Sequence, residues 1–405
     1  MRILLVGINY APEVTGIGPY NTELAEHLAA AGHSVSVLTA FPWYPQWKID
    51  PAYRGRRPFL VERINGVRVV RSPILLPQAR QTAFRRIVFD SSFALTALAA
   101  SAVIGGLDAV ICVSPPLQLG PAAWLIARTR RARFIVHLQD IVPDAALSTG
   151  MMHAGRAVAM SRRLERFVYA RADGITVISE GFKENLIGKE VPPHKVEVLP
   201  NWVDAARFRS ASDPDVRRVL GAPDGEMLVL HAGNMGAKQG LETVVDAAAQ
   251  LMGEDIAITL IGDGQSRVGL EARASALAAS NLKFLPLQSD LPATLAAADV
   301  LVLSQRAQVI DSAAPSKLLT YMAAGKPIVA TVNESSEAGQ LIRRANCGVV
   351  VPPEEPALLA EALRELRRHP ERHAELGAAG RRHVSEHFDR QVILQRWERL
   401  LEGRS

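Results

Sequence analysis

The chain reads as an α/β protein of two Rossmann-like domains, each a mostly parallel sheet with helices on both faces. Three observations predict this. Short β-branched runs recur along the chain, and helical stretches separate most of them at the spacing of βαβ units. A glycine turn follows the first strand, and a second glycine turn follows a fresh strand after residue 225. Between the two series, Asn201 to Gly225 is rich in Asp, Pro and Arg and reads as the linker.

The first series opens with a strand at Ile3–Val6, the loop Thr15-Gly16-Ile17-Gly18, and a helix from Tyr20 to Ala31 that Gly32-His33 ends. A strand follows at Ser34–Thr39. Further short runs are Ala109–Val113, Arg133–Leu138, Gly174–Ile178 and Val196–Leu199. The second series begins at Met227–His231, turns through Gly233-Asn234-Met235-Gly236, and enters a helix at Gly240–Met252. Its later strands are Ile256–Ile261, Lys283–Leu285, Val300–Leu303, Ile328–Thr331 and Gly348–Val351. Domains are expected over residues 1–203 and 204–382, with 383–405 left over. There, His383 to Leu401 reads as one amphipathic helix that returns across the first domain.

The stretch Ala314 to Ala330, APSKLLTYMAAGKPIVA, sets a proline and a Ser-Lys pair before a short apolar helix. The helix stops at Gly325, ahead of Lys326-Pro327 and a new β run. This puts a helix start and a lysine at the carboxyl end of Val300–Leu303. Such a corner suits an anion, because unpaired N–H groups and the helix dipole both favour negative charge.

At 405 residues, 48% hydrophobic and 21% charged, the composition is that of a soluble globular enzyme. Cys112 and Cys347 lie far apart in apolar runs, which fits a reducing cytoplasm better than a disulfide framework. Met1-Arg2 leads directly into a strand, so no cleavable signal is expected. The weakly polar stretch Phe93 to Leu107 is too short and too rich in Ala, Ser and Gly to span a bilayer. The net charge is +5, but between Pro42 and Ala172 there are 19 Lys/Arg against 7 Asp/Glu. Positive charge there suits anionic lipid or pyrophosphate. A nucleic-acid partner would need a recognisable binding module, and none is present.

Neither glycine turn is a dinucleotide fingerprint: Gly16-x-Gly18 lacks the third glycine, and Ser34–Thr39 ends without an acidic ribose ligand. A nicotinamide enzyme is disfavoured, and no P-loop or nucleophile elbow occurs. Two histidine pairs sit four apart, His369/His373 and His383/His387. The second, with Glu386, spells H-x-x-E-H, the string of one zinc-protease class. In a charged segment without a cleft it reads as a solvated helix face, and no metal is expected.

Seven segments stand out along the chain: INYAPEVTGIGPYNTELAEHLAAAGHSVSVLTAFPWYPQW at Ile8–Trp47, VHLQD at Val136–Asp140, LPNWVDAARF at Leu199–Phe208, HAGNMGAKQGLE at His231–Glu242, LIGDGQ at Leu260–Gln265, FLPLQS at Phe284–Ser289, and DSAAPSKLLTYMAAGKPIVA at Asp311–Ala330. The set resembles family 4 glycosyltransferases of the GT-B fold. Within them it is most similar to the subgroup that builds exopolysaccharide and O-antigen, especially colanic-acid-type fucosyltransferases. The resemblance implies a cleft between the two domains, a GDP- or UDP-linked sugar lying mainly on the second domain, and no cofactor. By that resemblance, Gly233, Asn234, Gly236 and Lys238 approach the diphosphate, with the lysine neutralising charge on the leaving group. Gly262 and Gly264 line the nucleotide pocket, Pro286 and Leu287 read the base, and Ser316 and Lys317 hold phosphate or ribose.

The chain departs from the family in one motif. Most members carry a Glu-x7-Glu pair whose second Glu falls at Thr320 and whose first falls at or beside Ser312, next to Asp311. Neither Glu is present. Thr320 offers a hydroxyl to the ribose, and Asp311 is the candidate replacement for the first acid. Asn234 stands near the position of a family arginine. In the first domain, Gly16 and Gly18 let a loop close over the donor. His137 and Asp140 are both candidates for the catalytic strand end, and Glu13 beside the loop reads as a solvated acid. The family retains anomeric configuration by same-face attack without a metal, so a strong side-chain base is not required.

On the acceptor side, Trp43, Tyr44, Trp47 and Tyr53 interleave with Arg54, Arg56 and Arg57, and Arg80, Arg85 and Arg86 precede the apolar helix Ile87–Ala102. This suits a membrane interface and a polyprenyl-diphosphate-linked acceptor, which would place the protein on the inner face of the plasma membrane. The alternative is a set of solvated basic residues flanking a core helix. Two rival functions remain: a sugar-nucleotide 2-epimerase, and a catalytically silent nucleotide-sugar-binding scaffold.

Overall fold

The computed structural model describes the chain apart from residues 15, 56–57, 78–82, 142–155, 209–213, 223–224, 310–315 and 404–405. It divides into two units, one of Met1–Pro200 with Leu394–Ser405 and one of Asn201–Ile393.

In the first unit, β1 (Arg2–Val6), β2 (Ser34–Ala40), β3 (Leu60–Ile64), β4 (Val67–Ser72), β5 (Ala109–Ser114), β6 (Arg133–Leu138), β7 (Gly174–Val177) and β8 (Val196–Val198) form one sheet. The order is β3-β4-β2-β1-β5-β6-β7-β8. All pairings are parallel except β3–β4. β1 and β5 are buried almost throughout, as strands covered on both faces must be. The β3–β4 hairpin adds to the predicted strands. Its turn is Asn65-Gly66, with φ of 48° and 85°, the left-handed pair that a two-residue hairpin needs.

The helix Ala83–Ala100 overlaps the predicted apolar helix. By length and composition alone, Arg85–Val103, which begins eight residues before the stretch Phe93 to Leu107, is long and apolar enough to cross a membrane. In this unit, however, Phe89, Phe93 and Ala97 are buried, and the helix packs on β4 and on the helix Leu119–Arg130. Among the described large apolar residues of this helix, Val88 and Leu95 stand exposed.

The second unit holds β9 (Met227–Ala232), β10 (Ile256–Ile261), β11 (Leu282–Leu285), β12 (Val300–Ser304), β13 (Ile328–Thr331) and β14 (Gly348–Val351), all parallel, in the order β11-β10-β9-β12-β13-β14. The strand order reverses between β9 and β12, and in the first unit between β1 and β5. Doubly wound sheets open a ligand crevice at the carboxyl ends of such strands. Buried side chains fill both faces of the second sheet.

The expected single helix from His383 to Leu401 is two helices, Glu371–His387 and Arg390–Glu402. Val203 donates to the Phe388 carbonyl and accepts from the Arg390 amide, both at 3.0 Å. This bridge takes the backbone groups at the junction out of the helical ladder and breaks it. The second helix carries Trp397, fully buried, and from Leu394 onward it belongs to the first unit. Cys112 and Cys347 are buried and free.

Candidate functional site

In the second unit, the site grows from the end of β9. His231 is fully buried, with Nδ1 3.3 Å from the Val302 carbonyl and Nε2 3.1 Å from Lys317 Nζ. A carbonyl only accepts and an ammonium only donates, so these contacts define one neutral tautomer: Nδ1–H donates to Val302 and Nε2 accepts from Lys317. Burial first, then the neighbouring Lys317 charge, pushes the His231 pKa well below its usual value. Burial also lowers Lys317, to about 8.

Lys317 lies in the first turn of the helix Ser316–Ala324. Four residues on, the Tyr321 hydroxyl accepts from the Ala232 amide at 2.8 Å. The same face of the helix is thus tied twice to the end of β9. Gly233 makes room for this: a Cβ there would lie 2.8 Å from Lys317 Cε and 2.9 Å from Nζ. Gly262 has φ of 136°, and a Cβ there would fall 1.9 Å from the Gly233 carbonyl oxygen. Backbone therefore packs on backbone at this corner, leaving the lysine amine beneath the glycine turn.

Lys238 is exposed on the short 3-10 turn Ala237–Gln239, whose carbonyls accept from Arg306. Asn234 is exposed beside it, and Gly236 and Gly264 complete the loops after β9 and β10. Pro286 and Leu287 lie exposed just beyond β11. Ser316 is exposed, and the Thr320 hydroxyl donates to the Ser316 carbonyl at 3.1 Å on its own helix. Asp311 lies outside the described residues. The glycine turns, Lys238, Ser316 and Lys317 thus gather at one edge of the sheet, at the switch point.

In the first unit, Glu13 is buried, which corrects its reading as a solvated acid. Its Oε1 accepts from the Trp43 and Tyr44 amides, both at 2.9 Å, and Oε2 accepts from Asn9 Nδ2 at 2.7 Å. It clips the glycine loop to the chain leaving β2. Gly16 lies against the Tyr44 ring, where a Cβ would be 3.2 Å from Cε1, and Gly18 opens the first helix.

Trp43 is only 5% exposed, nested against Trp47 at 4.6 Å and Phe89 at 5.0 Å. Its assignment to a membrane-facing surface is therefore corrected: the ring is already covered by aromatic neighbours. Tyr44 and Trp47 are half-buried, Arg85 is exposed, and Arg86 pairs with the buried Asp90 at 3.2 Å. Burial raises Asp90 to about 6, against the opposing pull of Arg86. Arg56, Arg57 and Arg80 lie outside the described residues.

At β6, the structure separates the two catalytic candidates. His137 is buried, with Nδ1 2.9 Å from Thr176 Oγ1, Nε2 2.9 Å from Gln139 Nε2, and its ring edge-on to Trp397 at 4.9 Å. Burial lowers its pKa to about 3. Both nitrogens are engaged inside the protein, so the catalytic assignment of His137 is corrected to a core role. Asp140 stands exposed just past the strand end. The His383/His387 rings lie 4.6 Å apart with His387 exposed, as a solvated helix face allows.

Residues 15–202 match a family described as a glycosyl transferase 4-like domain, and residues 212–383 match glycosyl transferases group 1. The chain is 33% identical to the protein of Escherichia coli K12 named "Putative colanic acid biosynthesis glycosyl transferase WcaI", over the full length of both. The chain belongs to family 4 of the GT-B glycosyltransferases. Solved structures carry the same fold: sucrose-phosphate synthase of Thermosynechococcus elongatus, at TM-score 0.76 and 20% identity, covers 99% of this glycosyltransferase and 98% of its own chain. WaaG, a glycosyltransferase of lipopolysaccharide biosynthesis, aligns at 0.69 and 17%, covering 99% and 100%. HepE of Anabaena in complex with UDP aligns at 0.73 and 17% over both whole chains.

Sequence reasoning gave no role to two residues of this glycosyltransferase, His231 and Asp90, and took the buried Glu13 for a solvated acid. His231 lies in the segment HAGNMGAKQGLE, and its partner Lys317 is 86 residues away, beyond the reach of any local pattern. A histidine closing an otherwise apolar strand was the available signal.

Proposed function

We propose that this family 4 glycosyltransferase moves a hexose or deoxyhexose, such as fucose, from a GDP- or UDP-sugar to a polyprenyl-diphosphate-linked saccharide in exopolysaccharide or O-antigen assembly. The observation that carries the reading is the seat of Lys317: an ammonium held by His231 beneath the Gly233 turn, at the carboxyl end of a switch-point strand. A nucleoside diphosphate is the ligand whose charge such a seat fits. The full-length likeness to a protein named for colanic acid biosynthesis supports the pathway class. GDP-mannose-dependent alpha-mannosyltransferase of Mycolicibacterium smegmatis, 27% identical over 67% of this chain, supports a nucleotide-sugar donor.

In the proposed reaction, the bond from C1 to the diphosphate oxygen breaks as the acceptor oxygen bonds C1 on the same face. The acceptor proton passes to the departing phosphate oxygen, with retention and without a metal. Lys317 and Lys238 offset the charge gathering on the diphosphate, and donors placed where charge develops are worth about 3–4 kcal/mol each. Asn234, Gly236 and Gly264 bring backbone and amide groups to the phosphates. Ser316, Thr320 and Asp311 serve ribose and donor sugar, and Pro286 and Leu287 border the base. In the first unit, Asp140 is the residue assigned to the acceptor hydroxyl. Arg85, Arg86 and the exposed Val88 and Leu95 suit anionic lipid at the cytoplasmic face of the inner membrane.

The test screens GDP-, UDP- and dTDP-sugars for thermal stabilisation, then assays the best donor with a lipid-linked acceptor. Transfer with retained configuration is expected. Stabilisation without transfer to any acceptor would favour the scaffold, and isomerisation of the free nucleotide sugar would favour the epimerase.

A further inference from the structure

We propose a zinc-class divalent metal site, built from His33, Glu398 and Glu402, where the last helix meets the amino end of the first sheet. Glu398 and Glu402 are four apart on the helix Arg390–Glu402 and so share one face. His33 comes from the short link between the helix Gly18–Ala30 and β2. One ligand atom from each of the three lies within 4.8 Å of the others. The imidazole and carboxylate set is the one that zinc and its neighbours prefer.

Two further observations single out this patch. The Nε2 atoms of His33 and His27 are both shielded from solvent and have no hydrogen-bond partner. His27 Nε2 also lies 3.6 Å from Glu398 Oε2. Two imidazole nitrogens that lack hydrogen bonds thus lie near two carboxylates, a donor set that suits a divalent cation. A tetrahedral ion with bonds of about 2.0–2.2 Å needs its ligand atoms about 3.4 Å apart. Binding would draw the three ligand atoms closer together, and Glu402 lies on the exposed side. His33 Nδ1 meets the N-terminal nitrogen at 3.1 Å, so loading through Nε2 requires that contact to give up a proton.

The site stands at the amino end of β2, opposite the Gly16–Gly18 loop, so it is structural and takes no part in glycosyl transfer. Its effect is to pin the helix that carries Trp397 onto the first unit. It does not depend on the proposed donor or acceptor.

The test uses the full-length protein carrying His383→Gln and His387→Gln, which removes the other close histidine pair. After chelator stripping, zinc chloride is titrated by calorimetry and by thermal melting. One saturable ion per chain and a raised Tm are expected, with affinity falling at least tenfold in Glu402→Gln and in His33→Gln. Magnesium at the same concentration should leave Tm unchanged. Zinc affinity unaltered by both substitutions, no saturable binding, or equal stabilisation by magnesium would each overturn the site. Glu402→Gln changes an exposed side chain, so its result is readable even if His33→Gln folds poorly.

Discussion

Lys317 owes its place to two residues that need not touch the donor: His231 accepts from its ammonium, and Gly233 leaves space for its stem. If the seat serves the diphosphate, Lys317→Ala should lower kcat/KM by about 10²–10³-fold without unfolding the protein, and Lys238→Ala should also slow transfer strongly. Near-normal rates in both variants would displace the donor site. The pH profile follows from the lowered lysine. Its proton is present below about pH 8 and lost above it, so kcat/KM should fall as pH rises through about 8. A limb that survives in Lys317→Ala belongs to another group. Asp90 gives a separate test, on stability. Its folded pKa, raised to about 6, lies above the ordinary 3.8, so the native state binds the extra proton and stability declines as pH rises between the two values. Asp90→Asn should therefore gain about 3 kcal/mol at pH 7 in denaturant unfolding, a gain that vanishes below about pH 4.

Elements in the second unit meet through glycine. The helix Glu371–His387 crosses the end of Ser316–Ala324 so closely that a Cβ on Gly377 would stand 2.0 Å from the Gly325 carbonyl oxygen. Gly377→Ala should cost about 1–3 kcal/mol of unfolding free energy by overpacking, and a stability equal to the parent protein would refute this crossing. Most strands were readable because runs such as Val110–Val113 or Ile256–Ile261 are buried on both faces and carry β-branched residues. The hairpin β3–β4 escaped notice although Asn65-Gly66 is a strong hairpin signal, because charged residues interrupt its flanks.

Across the molecule, the chain ends by returning to where it began. Trp397 is buried against His137, Arg396 donates to the Val198 carbonyl at 2.6 Å, and Arg133 donates to the Leu401 carbonyl at 2.9 Å. The first unit therefore draws part of its core from the last dozen residues. Trp397→Ala should cost about 3–5 kcal/mol, read in the melting of the first unit. If the donor binds the second unit as proposed, a nucleotide sugar should still stabilise that unit. Loss of both responses together would show that the two units unfold as one.

The glycine turns, the parallel strands and the helix start that carries Lys317 were legible in the sequence alone, because burial pattern, glycine placement and helix boundaries are local. Membership of family 4 was legible for a related reason: its motifs keep their order and intervals. What only the tertiary structure decided were the partners. His231 finds Lys317 across 86 residues, Glu13 finds the amides of Trp43 and Tyr44, and His137 is closed off by Trp397 from the far end of the chain. Each depends on which segments the fold brings side by side, and no local periodicity encodes that choice.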